Sequence, residues 1–272
     1  MDLGSYFVLS SPVIEVDLRE LTKNLAKTEL VYWRDSYLKI LDTELLRVEP
    51  DGGKKAYLIL GSTIFHPKSG GQPSDTGRIT AEPDFSLDVK KVMIVDDVVA
   101  HYGSVTGGDI KKLQAGTKVR SEISWDERYV AMRRHTAGHL FDHCLEVATG
   151  RPSKTVDSWL GEPCYVTYEG EMPNKGAVNR ALQLEAEGIR KGLSVRVEFV
   201  TYQRMLEIAG DAPNVARLPK SELMRIVTID GCKPIPCGGT HLKNTSEIGK
   251  FEYRKAENTP DGKSFKVYYE VG

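Results

Sequence analysis

The chain has 272 residues, of which 40% are hydrophobic and 28% charged, with a formal net charge of −1. That is an ordinary soluble balance with room for two domains, and it excludes a globally basic surface that would recruit polyanions nonspecifically. Four cysteines are too few to staple a chain of this size and read as thiols in a reducing compartment. No apolar run reaches the ~18–20 residues of a membrane helix, and the first residues lack a secretory pattern, so the expected location is the cytoplasm with no membrane partner.

In chain order, residues 1–30 carry Val13-Ile14-Glu15-Val16, which alternates like a strand, and Leu18, Leu21, Leu25 and Ala26, which have helical spacing; they are expected to extend the first domain. From residue 32 to 125 the period is mostly two. Leu45-Leu46-Arg47-Val48 and Ala56-Tyr57-Leu58-Ile59-Leu60 flank Asp51-Gly52-Gly53, a hairpin signal, and further strands are expected at 87–95, 98–101 and 119–123. Short strands separated by Gly, Pro and Asp predict a small β-barrel. Within it, residues 66–77 hold three glycines and two prolines, either a plain connection or a loop whose bare backbone lies against a ligand.

Asp126 suits an N-cap, and helical periodicity in Ala137, Leu140, Phe141, Cys144, Leu145 and Ala148 predicts a helix over 127–149, stopped by Gly150 and Pro152. Strands follow at 155–158 and 164–169. Pro173-Asn174 opens a second helix with Val178, Leu182, Ala186 and Ile189 on one stripe, ended by Gly192. A strand at 195–200, a short helix at 203–209 and strands at 225–229, 250–253 and 265–269 complete an α+β half with helices on one antiparallel sheet. The expected division is 1–125 for the extension and barrel, and 126–272 for the α+β domain.

Two segments carry the chemistry. Arg134-His135-Thr136-Ala137-Gly138-His139-Leu140 sets two imidazoles four apart, on one helix face. Pro236-Cys237-Gly238-Gly239-Thr240-His241-Leu242 sets a thiol and an imidazole four apart around two glycines that favour a tight turn. Alone, either spacing arises by chance. Together, His135, His139, Cys237 and His241 form a mixed N/S donor set that suits one zinc ion per chain over magnesium or calcium. A thermolysin-like protease needs Glu after the first His, where this chain has Thr136. His143 extends the stripe, but 135 to 143 spans about 12 Å of helix at ~1.5 Å per residue, too far for three rings to share one ion. Cys144 and Cys164 read as core thiols, His66 and His101 as bystanders. Cys232 is open as a ligand, a redox partner or a buried thiol.

These two segments, with Gly70-Gly71-Gln72-Pro73-Ser74-Asp75-Thr76-Gly77 before them, resemble the editing domain of alanyl-tRNA synthetase and, in their order, the free-standing AlaX family in its medium-length form. The resemblance covers roughly residues 30–256. It implies a deacylase acting in trans on mischarged alanine tRNA, chiefly seryl-tRNA and in some members glycyl-tRNA, with the tRNA acceptor end as partner. An alanine site discriminates poorly against serine and glycine, so a second, hydrolytic site restores fidelity. By position, the resemblance implies His135, His139, Cys237 and His241 as zinc ligands, Thr136 as a hydrogen-bond partner of the serine hydroxyl, and Gly238 and Gly239 as N–H donors near the ester carbonyl. It places the loop carrying Gly70, Gly71, Gln72 and Asp75 near the acceptor end. Arg134, with Arg128 and Arg133, forms a local basic cluster that offsets the near-neutral net charge; Arg151 with Lys154, and Lys250 with Arg254 and Lys255, form others. The chain departs from the family in having no Gln in the first strand after the helix, where it reads Ser153-Lys154-Thr155-Val156-Asp157-Ser158-Trp159. Two alternatives stand beside this reading: a non-catalytic tRNA-binding or regulatory protein with a structural zinc, and a deacylase for another small amino acid. The sequence leaves the oligomeric state open.

Overall fold

The computed structural model describes residues 17–215, 218 and 221–272, so the strand expected at Val13-Ile14-Glu15-Val16 lies outside the described residues. Asp17 caps a short helix, α1 (Leu18–Thr22), by accepting from Arg19 N–H at 2.9 Å. Then come β1 (Glu29–Leu30), a 3₁₀ turn (Val31–Trp33), β2 (Ile40–Pro50), β3 (Lys55–Leu60), β4 (Ser62–Thr63), β5 (Gly77–Ala81), β6 (Phe85–Val95), β7 (Val98–Gly107) and β8 (Lys118–Ile123). Strands β2-β3-β7-β6-β5-β8 form a closed barrel, sealed by antiparallel pairing of β8 with β2. Closure removes the exposed strand edges that an open sheet of this size would present. Alternate residues point inward, so Leu45, Leu58, Leu60, Ile79, Leu87 and Val99 fill the interior with no exposed surface. The strand β5 is an addition to the expected set: Gly-Arg-Ile-Thr-Ala offers only two apolar side chains of any size to signal it, and pairing on both sides makes it a strand.

The second half is α2 (Trp125–Thr149), β9 (Thr155–Trp159), β10 (Tyr165–Glu169), α3 (Lys175–Lys191), β11 (Val195–Thr201), α4 (Tyr202–Ala209), β12 (Leu223–Ile229), β13 (Ile235–Pro236), β14 (Phe251–Asn258) and β15 (Ser264–Val271). Ser124, rather than Asp126, is the N-cap of α2; Asp126 and Glu127 fall in the first turn, where negative charge complements the helix dipole. Asn174 caps α3 by accepting from Ala177 N–H at 2.9 Å, and Gly192 ends it.

The single sheet expected in this half is instead two antiparallel sheets, β14-β15-β10-β9 and β11-β12-β13. The physical reason lies in α2. Its Leu140, Phe141 and Leu145 share a cluster with Val166, Val267 and Tyr269 of the first sheet and with Val195, Val227 and Ile229 of the second. A 25-residue helix with so wide an apolar surface needs cover from more than one side. None of the described helices is long and apolar enough to cross a membrane.

The loop 66–77 leaves the barrel and lies against the start of α2. Arg128, with no exposed side-chain surface, donates through Nε to Asp75 Oδ1 at 2.9 Å and through Nη2 to Asp75 Oδ2. Two further N–H groups go to the Ile64 and Ser36 carbonyls at 2.6 and 3.0 Å. Asp75 also accepts from the His66 N–H. This fixed loop carries Gln72 to the junction with the second half.

Candidate metal centre

Helix α2 presents His135 and His139 one turn apart, with stacked rings 4.9 Å between centroids. The segment after β13 brings Cys237 and His241 against them, and the donor atoms of the four residues all lie within 4.8 Å of one another. Cys237 Sγ is 3.4 Å from His135 Nε2 and 3.3 Å from His241 Nε2. Two motifs a hundred residues apart thus converge on one point. His143 and Cys232 stand outside this group.

Outer partners aim two of the rings. Thr240 N–H can only donate, and it meets Gln72 Oε1 at 3.0 Å, which fixes the amide's orientation. The same oxygen lies 3.0 Å from His135 Nδ1, so Nδ1 carries the hydrogen and Nε2 turns its lone pair toward the sulfur. The Gln72 amide group completes the arrangement by donating to Thr240 Oγ1 at 2.8 Å. His241 Nδ1 faces Thr136 Oγ1 at 3.4 Å, and that hydroxyl also accepts from Leu242 N–H at 3.0 Å. His139 differs: both its ring nitrogens are buried without a hydrogen-bond partner, and Asp142 Oδ2 stands 3.9 Å from its Nδ1. Buried polar atoms are rarely left unpaired, so this ring marks where an external group is required.

Burial lowers the basicity of all three imidazoles. It brings His139 to about 4, with the nearby Arg225 charge adding to the effect. His135 and His241 fall well below the ordinary value, first by burial and then by repulsion from their neighbouring rings. At neutral pH the rings are uncharged, the form that ligates a metal. Burial pushes the Cys237 thiol up, opposed by Arg225 and by the Gly239 N–H directed at the sulfur. Arg225, almost wholly buried, donates to the Cys237 carbonyl at 2.6 Å and the Trp33 carbonyl at 3.0 Å, tying this segment to the barrel half. Trp33 Nε1 in turn donates to the Gly238 carbonyl at 3.0 Å.

Gly239 is required by proximity. A Cβ there would sit 2.2 Å from His135 Cε1 and 2.5 Å from Nδ1. Gly239→Ala is expected to displace the His135 ring from Gln72 and lower metal affinity about ten- to a hundred-fold, the range for losing an outer partner of a ligand. Competition against a chromophoric chelator measures it; an affinity equal to wild type would show that the ring shifts without penalty.

Several expected substrate contacts have other neighbours in the structure. Thr136 has no exposed surface and its hydroxyl is engaged by His241 and Leu242, so it holds a ring rather than facing open space. Gln72 and Asp75 are buried in the bonds already described. Arg134 is buried, donating to the Leu160 and Gly161 carbonyls and to Glu270 at 2.7 Å, and Arg133 caps the Ile248 and Gly272 carbonyls. Arg128 and Arg134 of the basic cluster are therefore internal and Arg133 is half-buried, each guanidinium closing a backbone or carboxylate gap. Gly70 is exposed, whereas Gly71 packs so close to β9 that a Cβ would meet Ser158 Oγ at 2.2 Å. His101 uses both ring nitrogens inside the barrel, to Thr63 Oγ1 and the Leu58 carbonyl.

A cavity of about 450 Å³ reaches His139 from outside, between α2, the start of β9 and the segment 232–235. Asp142 lines it one turn beyond His139 and accepts from Tyr168 OH at 2.6 Å. Burial raises the Asp142 carboxyl to about 7, against the lowering effect of the Tyr168 and Thr155 hydroxyls. Sequence reasoning overlooked Asp142, although its i+3 spacing from His139 places it on the ligand face. It also overlooked Arg225, for which no local signal exists.

Residues 10–127 match the family profile described as tRNA synthetases class II (A), and residues 224–264 match the threonyl and alanyl tRNA synthetase second additional domain. The chain is 32% identical over 247 residues to "Alanyl-tRNA editing protein AlaX-M" of Methanosarcina acetivorans, covering 89% of this chain and 98% of that protein. It is 30% identical over 250 residues to the AlaX-M protein of Saccharolobus solfataricus, covering 90% and 99% respectively. An alanine–tRNA ligase of Methanococcus vannielii is 28% identical over 254 residues, which are 92% of this chain but 26% of that enzyme. With identity at this level across nearly the whole of both chains, and with the HxxxH and CxxxH segments meeting at one point, the chain belongs to the AlaX-M family of alanyl-tRNA editing proteins.

Proposed function

We propose that the protein is an aminoacyl-tRNA deacylase that hydrolyses the ester of mischarged alanine tRNA, chiefly seryl-tRNA and also glycyl-tRNA, at a zinc site held by His135, His139, Cys237 and His241. One observation carries this reading: four metal-capable side chains converge on one point, and the ring among them that lines a cavity, His139, has both nitrogens unpartnered. The donor set fits zinc, with neutral imidazoles and a thiol that becomes a thiolate on ligation. A bound zinc ion would supply positive charge that orients the aminoacyl group or makes a water more acidic.

The chain's own residues prepare that site. Gln72 holds His135 in one tautomer, Thr136 limits rotation of the His241 ring, and Gly239 leaves the room that His135 occupies. Exposed Arg151 and Lys154, beside the mouth, suit the phosphates of the acceptor end. We read 1–125 and 126–272 as two domains, supported by their separate apolar clusters, and the cytoplasm as the place where charged tRNA would be met.

A second reading follows from the donor count. Four protein ligands can close a tetrahedral sphere, as in structural sites, which suits a tRNA-binding protein without catalysis. Deacylation assays separate the two. The metal-replete protein, carrying about one zinc per chain by elemental analysis, should hydrolyse seryl-tRNA for alanine far faster than alanyl-tRNA. A chelator should abolish the activity and added zinc restore it. A folded, metal-replete protein inert toward seryl-, glycyl- and alanyl-tRNA would overturn the deacylase reading.

A further inference from the structure

We infer that Asp142 receives the α-ammonium group of the aminoacyl ester, so that the cavity beside His139 reads the free amine as well as the ester. This rests on the deacylase reading and extends it to a residue outside the HxxxH and CxxxH motifs. Three observations support it. Asp142 lies on the same face of α2 as His139 and lines the same cavity. Its carboxylate is fixed in place, because Oδ1 accepts from Tyr168 OH at 2.6 Å. Its Oδ2 stands 3.9 Å from His139 Nδ1, beyond hydrogen-bond range, and the carboxylate, with about four lone-pair sites against the Tyr168 and Thr155 hydroxyls, retains accepting capacity.

Charge points the same way. Of the three other carboxylates around the cavity, Glu146 and Asp211 are both met by Lys233, at 2.8 and 3.5 Å, and Glu169, at the end of β10, is exposed to solvent. Among the described residues, no Lys or Arg forms an ion pair with Asp142, and the His139 ring 3.9 Å away is uncharged at neutral pH. An aminoacyl ester has one positive group, and it is bonded to the carbon next to the carbonyl. A carbonyl held beside His139 therefore brings the ammonium within reach of the adjacent carboxylate, where a charge-assisted hydrogen bond can form. The competing role is purely supportive, with Asp142 steadying the His139 ring.

The test compares seryl-tRNA with glyceroyl-tRNA, the nearly isosteric ester in which a hydroxyl replaces the α-amine, each rate divided by its spontaneous hydrolysis. The wild type should favour the amine by about ten- to a hundred-fold, the range for a hydrogen bond to a charged group. Asp142→Asn should bring that ratio close to one while keeping its metal. A wild type that treats both esters alike overturns the proposal without any variant, which matters if the substitution impairs folding. So does an Asp142→Asn protein that slows both esters equally or loses its metal, since the carboxylate would then serve the ring. A wild type that hydrolyses neither ester fails the deacylase reading itself, and the proposal with it.

Discussion

Cys237→Ala protein is expected to lose nearly all its zinc and its seryl-tRNA hydrolysis, while Cys232→Ala keeps a full complement of metal. Cys237 Sγ sits within 3.4 Å of two imidazole nitrogens, whereas Cys232, half-buried, lies on the cavity wall outside the four-residue group. Structural zinc sites with four ligands bind with about 10–16 kcal/mol, so the loss of the one anionic ligand should remove ~3 kcal/mol or more, over a hundredfold in affinity. The three buried rings would remain neutral, and a water would have to take the place of the thiolate. Zinc content by elemental analysis and deacylation rate, measured on both single variants, decide the matter. A Cys232 variant without metal beside a Cys237 variant with metal would reverse the assignment.

Asp75→Ala is expected to cost about 3–5 kcal/mol of stability, the range for removing one partner of a buried ion pair. Arg128 has no exposed side-chain surface and would be left with a charge and no counter-ion. The loop 66–77 would also lose its tie to α2, and Gln72 with it. For a chain of this size the melting temperature should fall by roughly 10 °C. A second substitution, Arg128→Met, should recover part of the loss by removing the stranded charge, which a double-mutant cycle would register. Melting within a degree or two of wild type would show that the pair contributes little.

These two residues illustrate what was legible in the sequence. The four-residue donor group could be read because its spacing is local: an i, i+4 pair on a helix and a four-residue separation across a turn both survive without knowledge of the fold. The family resemblance of its loop places Asp75 near the acceptor end; its tie to Arg128, 53 residues away, is one that no periodicity reports. Thr136 was read toward substrate from its place between the ligands. The helix turns its hydroxyl to His241, a fact that depends on how the 236–242 segment docks. The barrel was legible from strand length and alternation. The division of the second half into two sheets was not, since alternation marks which face is apolar and leaves pairing partners open.

The Gln72 amide has a kinetic consequence. It joins His135, 63 residues on, to Thr240, 168 residues on, and His241 meets Thr136 across 105 more. Contacts of such sequence separation form late, because the entropy of closing long loops comes before any contact rewards it. Of the six barrel pairings only β2-β3, β5-β6 and β6-β7 join consecutive strands, and the β8-β2 seam already reaches from Ile40 to Glu122; the donor rings wait longer still, without a fixed aim until the last third has folded onto α2. On a ribosome, the pocket would stay incapable of holding an ion until His241 had emerged, so a shortened nascent chain would carry the motif without the chemistry.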